Sequence, residues 1–232
     1  MKFRAVFFDA GETLVHPHPS FPEMFAEIVR RHGYEVESAD VVERGRIVFD
    51  RFAEAARDNE LWTTSRERSE AFWRSVYHRF LTLLSLPTDD GLPEALYREF
   101  TDRANYRLFQ DVPPVLEVLH AAGLKLGVVS NFEEWLEHLL EELDVTRYFD
   151  VRVISGIEGI EKPDPRIFSL ALERAGVTAE ETVYVGDNPM FDVDPAAAVG
   201  MFPVLIDRRN RHPGAPGVRI TSMADLPAAI GM

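Results

Sequence analysis

The spacing of apolar positions changes twice along the chain. Lys2 to Asp9 is dominated by strand-favouring apolar residues, among them Phe3, Val6, Phe7 and Phe8, and it ends at Asp9-Ala10-Gly11. A near-continuous apolar run with that stop predicts a strand buried on both faces, as in a parallel sheet. From about Phe21 to Tyr106 the spacing turns helical. Phe21, Met24, Phe25, Ile28 and Val29 fall on one face of a helix over Phe21 to His32, with Gly33 as its stop. Ala39 to Asn59, Ser65 to Leu84 and Leu92 to Tyr106 predict three more amphipathic helices. Consecutive helices with no strand among them predict a helical bundle inserted into another domain.

After Asp111 the chain alternates. Helices are expected at Val112 to Ala122, Glu133 to Leu143, Pro165 to Ala175 and Pro195 to Val199. Strands are expected at Leu126 to Val129, Val151 to Ile154, Thr182 to Val185 and Pro203 to Ile206. This alternation predicts an α/β domain with a parallel sheet. The expected organisation is a split α/β core, residues 1–15 and 107–232, with a helical cap of residues 16–106 between. Asp207 to Gly217 is the most loop-like stretch, and neither repeats nor low-complexity tracts occur.

Composition narrows the chemistry. The 232 residues are 46% hydrophobic and 28% charged, which suits one large core or a core with a satellite. The formal net charge of -14 argues against nucleic acid as a partner, because binding a phosphate backbone needs a basic surface. A small anion is still compatible, since a few basic groups and backbone N–H groups can hold it inside one cleft. With no cysteine, thiolate metal sites, disulfides and cysteine nucleophiles are excluded. No apolar run reaches membrane-spanning length, so no membrane association is expected. MKFRAVFFDAGETL carries no small-residue cleavage site, and the expectation is a cytoplasmic protein. A monomer and a homodimer fit equally.

Three predicted strands end in polar residues: Asp9, Ser130 and Asp187. Singly, each suits a helix cap or a turn. Together they suggest one site, because the carboxyl ends of parallel strands face a common crevice. Four segments then carry a specific resemblance. FFDAGETL (Phe7 to Leu14), VVSN (Val128 to Asn131), EKPDPRIF (Glu161 to Phe168) and VGDNPMFD (Val185 to Asp192) resemble, in order, the four signatures of haloacid-dehalogenase-like hydrolases. The helical insertion between the first and second matches the family's type 1 cap.

The resemblance implies a Rossmann-like parallel-sheet core with an inserted helical-bundle cap. It implies Asp9 as nucleophile, forming an aspartyl-phosphate. Thr13, Ser130 and Asn131 would bind the phosphoryl group, Asn131 through its backbone, and Lys162 would neutralise charge there. Mg2+ would be held by Asp9, Asp187, Asp192 and the backbone carbonyl of Gly11, a sparse oxygen set that suits this ion. The substrate would be a small phosphorylated metabolite.

One departure stands out. Phosphatases of this family carry a second aspartate two residues after the nucleophile, as general acid and base. Here that position is Gly11, and the next is Glu12, either a surrogate acid or a loop carboxylate. Two alternatives therefore stay open: a non-catalytic protein that binds phosphorylated metabolites, and a 2-haloacid dehalogenase, since dehalogenases also lack that aspartate. His16 and His18, in His-Pro-His-Pro, are expected in a rigid linker rather than a metal site. Trp62, Phe72, Trp73, Tyr77 and Phe80 are expected in a helical core, with Trp62 a candidate to line a substrate cleft. Arg208, Arg209 and Arg211 are expected on a solvated loop, with anion steering as the alternative.

Overall fold

Strand β1 (Ala5–Phe8) buries all four of its side chains, so it needs neighbours on both faces. In the computed structural model, which describes residues 2–58 and 60–232, it is followed by strand β2 (Val15–Pro17). Helices α1 (Phe21–Arg31), α2 (Ser38–Arg57), α3 (Arg66–Leu83) and α4 (Leu92–Phe100) come next. Met1, at the start of the expected core, and Asn59, the expected end of the second helix, lie outside the described residues. Strand β3 (Tyr106–Leu108) pairs with β2 in a two-stranded ribbon.

The alternation follows: α5 (Val112–Ala121), β4 (Lys125–Ser130), α6 (Trp135–Glu142), β5 (Val151–Ile154), α7 (Ser155–Glu158), α8 (Pro165–Ala175), β6 (Thr182–Gly186), α9 (Asp194–Ala198), β7 (Phe202–Ile206), β8 (Val218–Ile220) and α10 (Leu226–Ala229). Six of these strands form one sheet in the order β5-β4-β1-β6-β7-β8, and every pairing is parallel. The protein thus has the α/β class expected from the alternation. Helix ends follow local chemistry. Asp164 caps α8 by accepting from the Arg166 N–H at 2.9 Å, Pro165 opens the helix, and Gly176 closes it at φ 62°.

The chain divides into two compact units. One runs to Val15 and resumes at Leu108–Met232; the other is His16–Arg107. In the first, Phe7, Val129, Val153, Ile167, Phe168 and Tyr184 pack one face of the sheet against helices. In the second, Phe25, Ile28, Phe72, Tyr77, Phe80 and Leu96 centre the helical core. Among the described residues, no helix is long and apolar enough to cross a membrane.

Three expectations need correction. The fourth helix stops at Phe100 instead of reaching Tyr106. Polar side chains there compete for the backbone: Thr101 Oγ1 donates to the Tyr97 carbonyl at 2.9 Å, Asn105 Nδ2 to the Glu99 carbonyl at 2.9 Å, and Asp102 caps a short turn at the Ala104 N–H. His16 belongs to strand β2 rather than to a linker, and its Nδ1 lies 2.8 Å from the Pro17 carbonyl oxygen. Trp62, the candidate for a substrate cleft, instead stacks on Phe72 with ring centroids 4.7 Å apart, inside the aromatic core of the helical unit where the apolar pattern also expects it.

Candidate active site

Strand register sets the site. Phe8 pairs with Val128 on one side and with Val185 on the other. Asp9 and Asp187, just beyond β1 and β6, and Ser130, the last residue of β4, therefore sit at the carboxyl ends of three adjacent strands. The Asp9 N–H donates to the Val185 carbonyl at 2.9 Å, which fixes the nucleophile candidate at the strand end. Ser130 Oγ donates to Asp9 Oδ1 at 3.0 Å. Lys162, in the loop before α8, donates from Nζ to Asp9 Oδ1 at 2.7 Å and to Asp192 Oδ1 at 2.6 Å. Carboxylate oxygens of Asp9, Asp187 and Asp192 lie within 4.8 Å of one another.

Asp192 sits in a single wide helical turn, Pro189–Val193, and its Oδ2 accepts from the Asn188 N–H at 3.0 Å. That turn is folded so closely over the end of β6 that a Cβ at Gly186 would overlap the Asp192 carboxyl group. The glycine of Gly186-Asp187 is thus a steric condition for the carboxylate cluster.

The sequence missed one residue that builds this site and the side-chain role of another. Tyr184 lies two positions before Gly186 on β6. Its hydroxyl accepts from Lys162 Nζ at 3.1 Å and donates to the Val129 carbonyl at 2.8 Å. The available signal is a hydroxyl-bearing residue set between the buried Val183 and Val185. Asn131 acts through its side chain rather than only its backbone. Nδ2 donates to the Lys162 carbonyl at 2.8 Å, and Oδ1 accepts from the Lys162 N–H at 2.6 Å. This two-point amide pairing positions the lysine's main chain.

Electrostatics are dominated by burial. Lys162 is 2% exposed; its desolvation disfavours the ammonium, but the Asp192 and Asp9 carboxylates outweigh this and hold its pKa well above the usual lysine value. Burial raises Asp187 well above the usual carboxylate range, with the charges of Asp192, Asp9 and Glu12 adding to it. Burial also pushes Asp192 up to about 6, against the pull of Lys162. With all three carboxyl groups ionised, one ammonium would leave two negative charges uncompensated, and the raised Asp187 and Asp192 values express that crowding. Such a hard oxygen set fits a divalent cation such as Mg2+, which is the physical remedy for that imbalance.

The remaining candidates lie on the turn after Asp9. Thr13 is fully buried, and its Oγ1 has no hydrogen-bond partner among the described residues. Glu12 adopts φ 56°, a left-handed conformation unusual for a residue with a side chain, and its carboxylate pairs with Arg209 at 2.9 Å. Gly11 lies beside open space: a Cβ there would meet only Phe132 Cε2, at 3.8 Å. The solvated-loop expectation fails for Arg208, whose side chain is 13% exposed and bound to Asp111 at 2.8 Å.

A fold with a nucleophile candidate on the central strand, a buried lysine and an acidic pair defines a class of hydrolase, and the comparisons agree. The model of haloacid dehalogenase-like hydrolases matches residues 3–200. The chain belongs to this family and is a hydrolase. It is similar to the haloacid dehalogenase-like hydrolase domain-containing protein 3 of Danio rerio, 30% identical over 98% of this chain and 96% of that protein. It is also similar to a phosphoserine phosphatase of Thermus thermophilus, 29% identical over 94% of this chain and 95% of that one. Among solved structures, a phosphatase of this family from Thermococcus onnurineus superposes with a TM-score of 0.61 at 25% identity, covering 99% of this chain and 98% of that one.

Proposed function

We propose that the protein is a magnesium-dependent phosphatase acting on a small phosphorylated metabolite through an aspartyl-phosphate on Asp9. The observation that carries this reading is the convergence of Ser130 and Lys162 on one oxygen of Asp9, beside the Asp187 and Asp192 carboxylates. The phosphatase named among its relatives supports the same chemistry.

In this reading Asp9 attacks phosphorus and the bond to the leaving oxygen breaks. Water then attacks the aspartyl-phosphate, releasing phosphate and restoring Asp9. Lys162 offsets negative charge on Asp9 and on the transferred group, and the Ser130 and Thr13 hydroxyls donate to phosphoryl oxygens. Asp9, Asp187, Asp192 and the Gly11 carbonyl would hold the cation. When bound, the cation supplies Lewis-acid polarisation of a phosphoryl oxygen. Glycine at position 11 offers no proton to the leaving group, so that group departs as an oxyanion. Aryl and acyl phosphates should therefore outpace alkyl phosphates, by about 10²-fold or more.

The test is phosphate release from both classes, with magnesium and with chelator, for the wild type and for Asp9→Asn. Full activity in Asp9→Asn would end the proposal. Gly11 also favours a second reading, a protein that binds phosphorylated metabolites without turning them over. Calorimetry showing tight binding with no turnover of aryl phosphates would select it.

A further inference from the structure

The turn that follows Asp9 is held by two consecutive arginines that the reading above does not use. Arg208 and Arg209 come just after β7. Arg208 Nη2 donates to the Thr13 carbonyl at 2.9 Å, and Nη1 donates to Asp111 Oδ2 at 2.8 Å. Its guanidinium lies 3.8 Å from the centre of the Phe109 ring. Asp111 is itself fixed, because Oδ2 also accepts from Ser222 Oγ and from the Met223 N–H, both at 2.8 Å. Arg209 Nη2 reaches the carboxylate of Glu12, the residue before Thr13. Two adjacent cations thus grip two adjacent residues of the nucleophile turn.

A largely buried guanidinium is expensive to desolvate, and replacing a buried ion pair by apolar groups is often neutral or better for stability. Arg208 therefore calls for a role beyond packing, and Thr13 supplies one. The Thr13 hydroxyl is fully buried with no partner among the described residues, although buried polar groups are nearly always hydrogen-bonded. A donor left open on the turn that follows the nucleophile is useful only if its direction is fixed. With its carbonyl held by Arg208, the Thr13 peptide cannot rotate, and the side chain it carries keeps its aim.

The structure assigns Arg208 as a positioning residue: by holding the Thr13 carbonyl it sets the direction in which the Thr13 hydroxyl meets the anion at Asp9. Arg209 restrains the same turn through Glu12. This rests on the phosphatase reading for what the anion is and for its meeting the Thr13 hydroxyl; the Arg208–Thr13 contact stands on the distances alone.

The test uses the full chain with magnesium and reads two quantities: affinity for orthovanadate by calorimetry, and kcat and KM with p-nitrophenyl phosphate. Arg208→Gln and Arg208→Lys are each made alone and in a Thr13→Val background. Arg208→Gln should lower kcat and vanadate affinity by about 10- to 100-fold, with KM for the substrate moving less than about threefold. Arg208→Lys should recover part of the loss. In the Thr13→Val background the further effect of Arg208→Gln should shrink to less than about twofold, because the two act through one hydroxyl. Undiminished loss in that background, or no loss from Arg208→Gln alone, overturns the assignment. If Arg208→Gln does not fold, Arg208→Gln with Asp111→Asn removes both charges and carries the same comparison. Wild type that binds vanadate without turnover sinks the phosphatase reading and leaves the assignment to be judged on affinity. Wild type that does neither overturns both.

Discussion

The two units bury different kinds of side chain. Among the described residues, His16–Arg107 buries aromatic and aliphatic groups, and its buried polar side chains are the hydroxyls of Thr63 and Ser69. The α/β unit buries Asp9, Glu133, Glu161, Lys162, Asp192 and Asp207. Apolar burial stabilises a fold in proportion to area, at about 25 cal/mol per Å². Burying a charge opposes folding unless partners compensate it. The helical unit is therefore built for stability, whereas the strand-end charges of the α/β unit are held against their own electrostatics. That contrast locates the chemistry without reference to any relative.

Substitutions can break this contrast. The largest combined effect is expected from Lys162→Met, which strips Asp9 and Asp192 of their shared counter-charge. Turnover should fall by about 10²–10³-fold, and thermal denaturation should show a loss of about 3–5 kcal/mol. Added magnesium should restore part of that stability, because it binds only the folded cluster. Stability that ignores magnesium would separate the carboxylates from any cation.

Gly11→Asp sharpens the account from the other side. The space beside Gly11 accepts a Cβ without a close contact. Restoring a carboxylic acid there should raise hydrolysis of alkyl phosphates by about 10²-fold while leaving aryl phosphates nearly unchanged. Parallel kinetics on the two substrate classes decide it, and equal gains would show that proton transfer is not what position 11 lacks.

Phe80→Ala should do the opposite of a site substitution. Phe80 is fully buried and packs against Phe21 and Phe25, with ring centroids 5.6 and 5.2 Å away. Denaturant titration should show a loss of about 3–5 kcal/mol, with turnover per folded molecule within about twofold of wild type.

The smallest effect should come from pH. The pKa of Asp207 is depressed: burial opposes its charge, but the N–H groups of His212 and Arg211 and the Arg219 guanidinium prevail. A depressed carboxylate contributes stability that is complete above its unfolded pKa of about 3.9 and is lost as pH falls through the lower folded value. Asp207→Asn should lower stability near neutrality by about 1–3 kcal/mol and flatten the acid limb of the stability curve below about pH 4.

The division between what was legible in the sequence and what was not has a physical basis. Strand ends, helix caps and the α/β class follow from local signals: apolar period, Asp164-Pro165, Gly176. The apolar pattern overextends the fourth helix because Leu96, Tyr97, Phe100 and Tyr106 carry it past Thr101 and Asp102, whose side chains take the backbone's hydrogen bonds. Signature segments drew attention to Asp9, Ser130, Lys162, Asp187 and Asp192, and the fold brings Asp9 and Lys162 together across 153 positions of sequence. Tyr184 and the Asn131 side chain were not legible, because their function is to hold Lys162, and no local pattern encodes a partner so distant. Arg208 was hidden for the same reason. In sequence it is one of several arginines in a loop, and only the fold brings it to Thr13.

The most direct measurement is acid quench of a single turnover with an aryl phosphate and magnesium, followed by mass spectrometry of the peptide that carries Asp9. The account expects a transient phosphoryl adduct on that peptide, absent in Asp9→Asn and absent with chelator. Phosphate release at wild-type rate with no adduct at any quench time would contradict it.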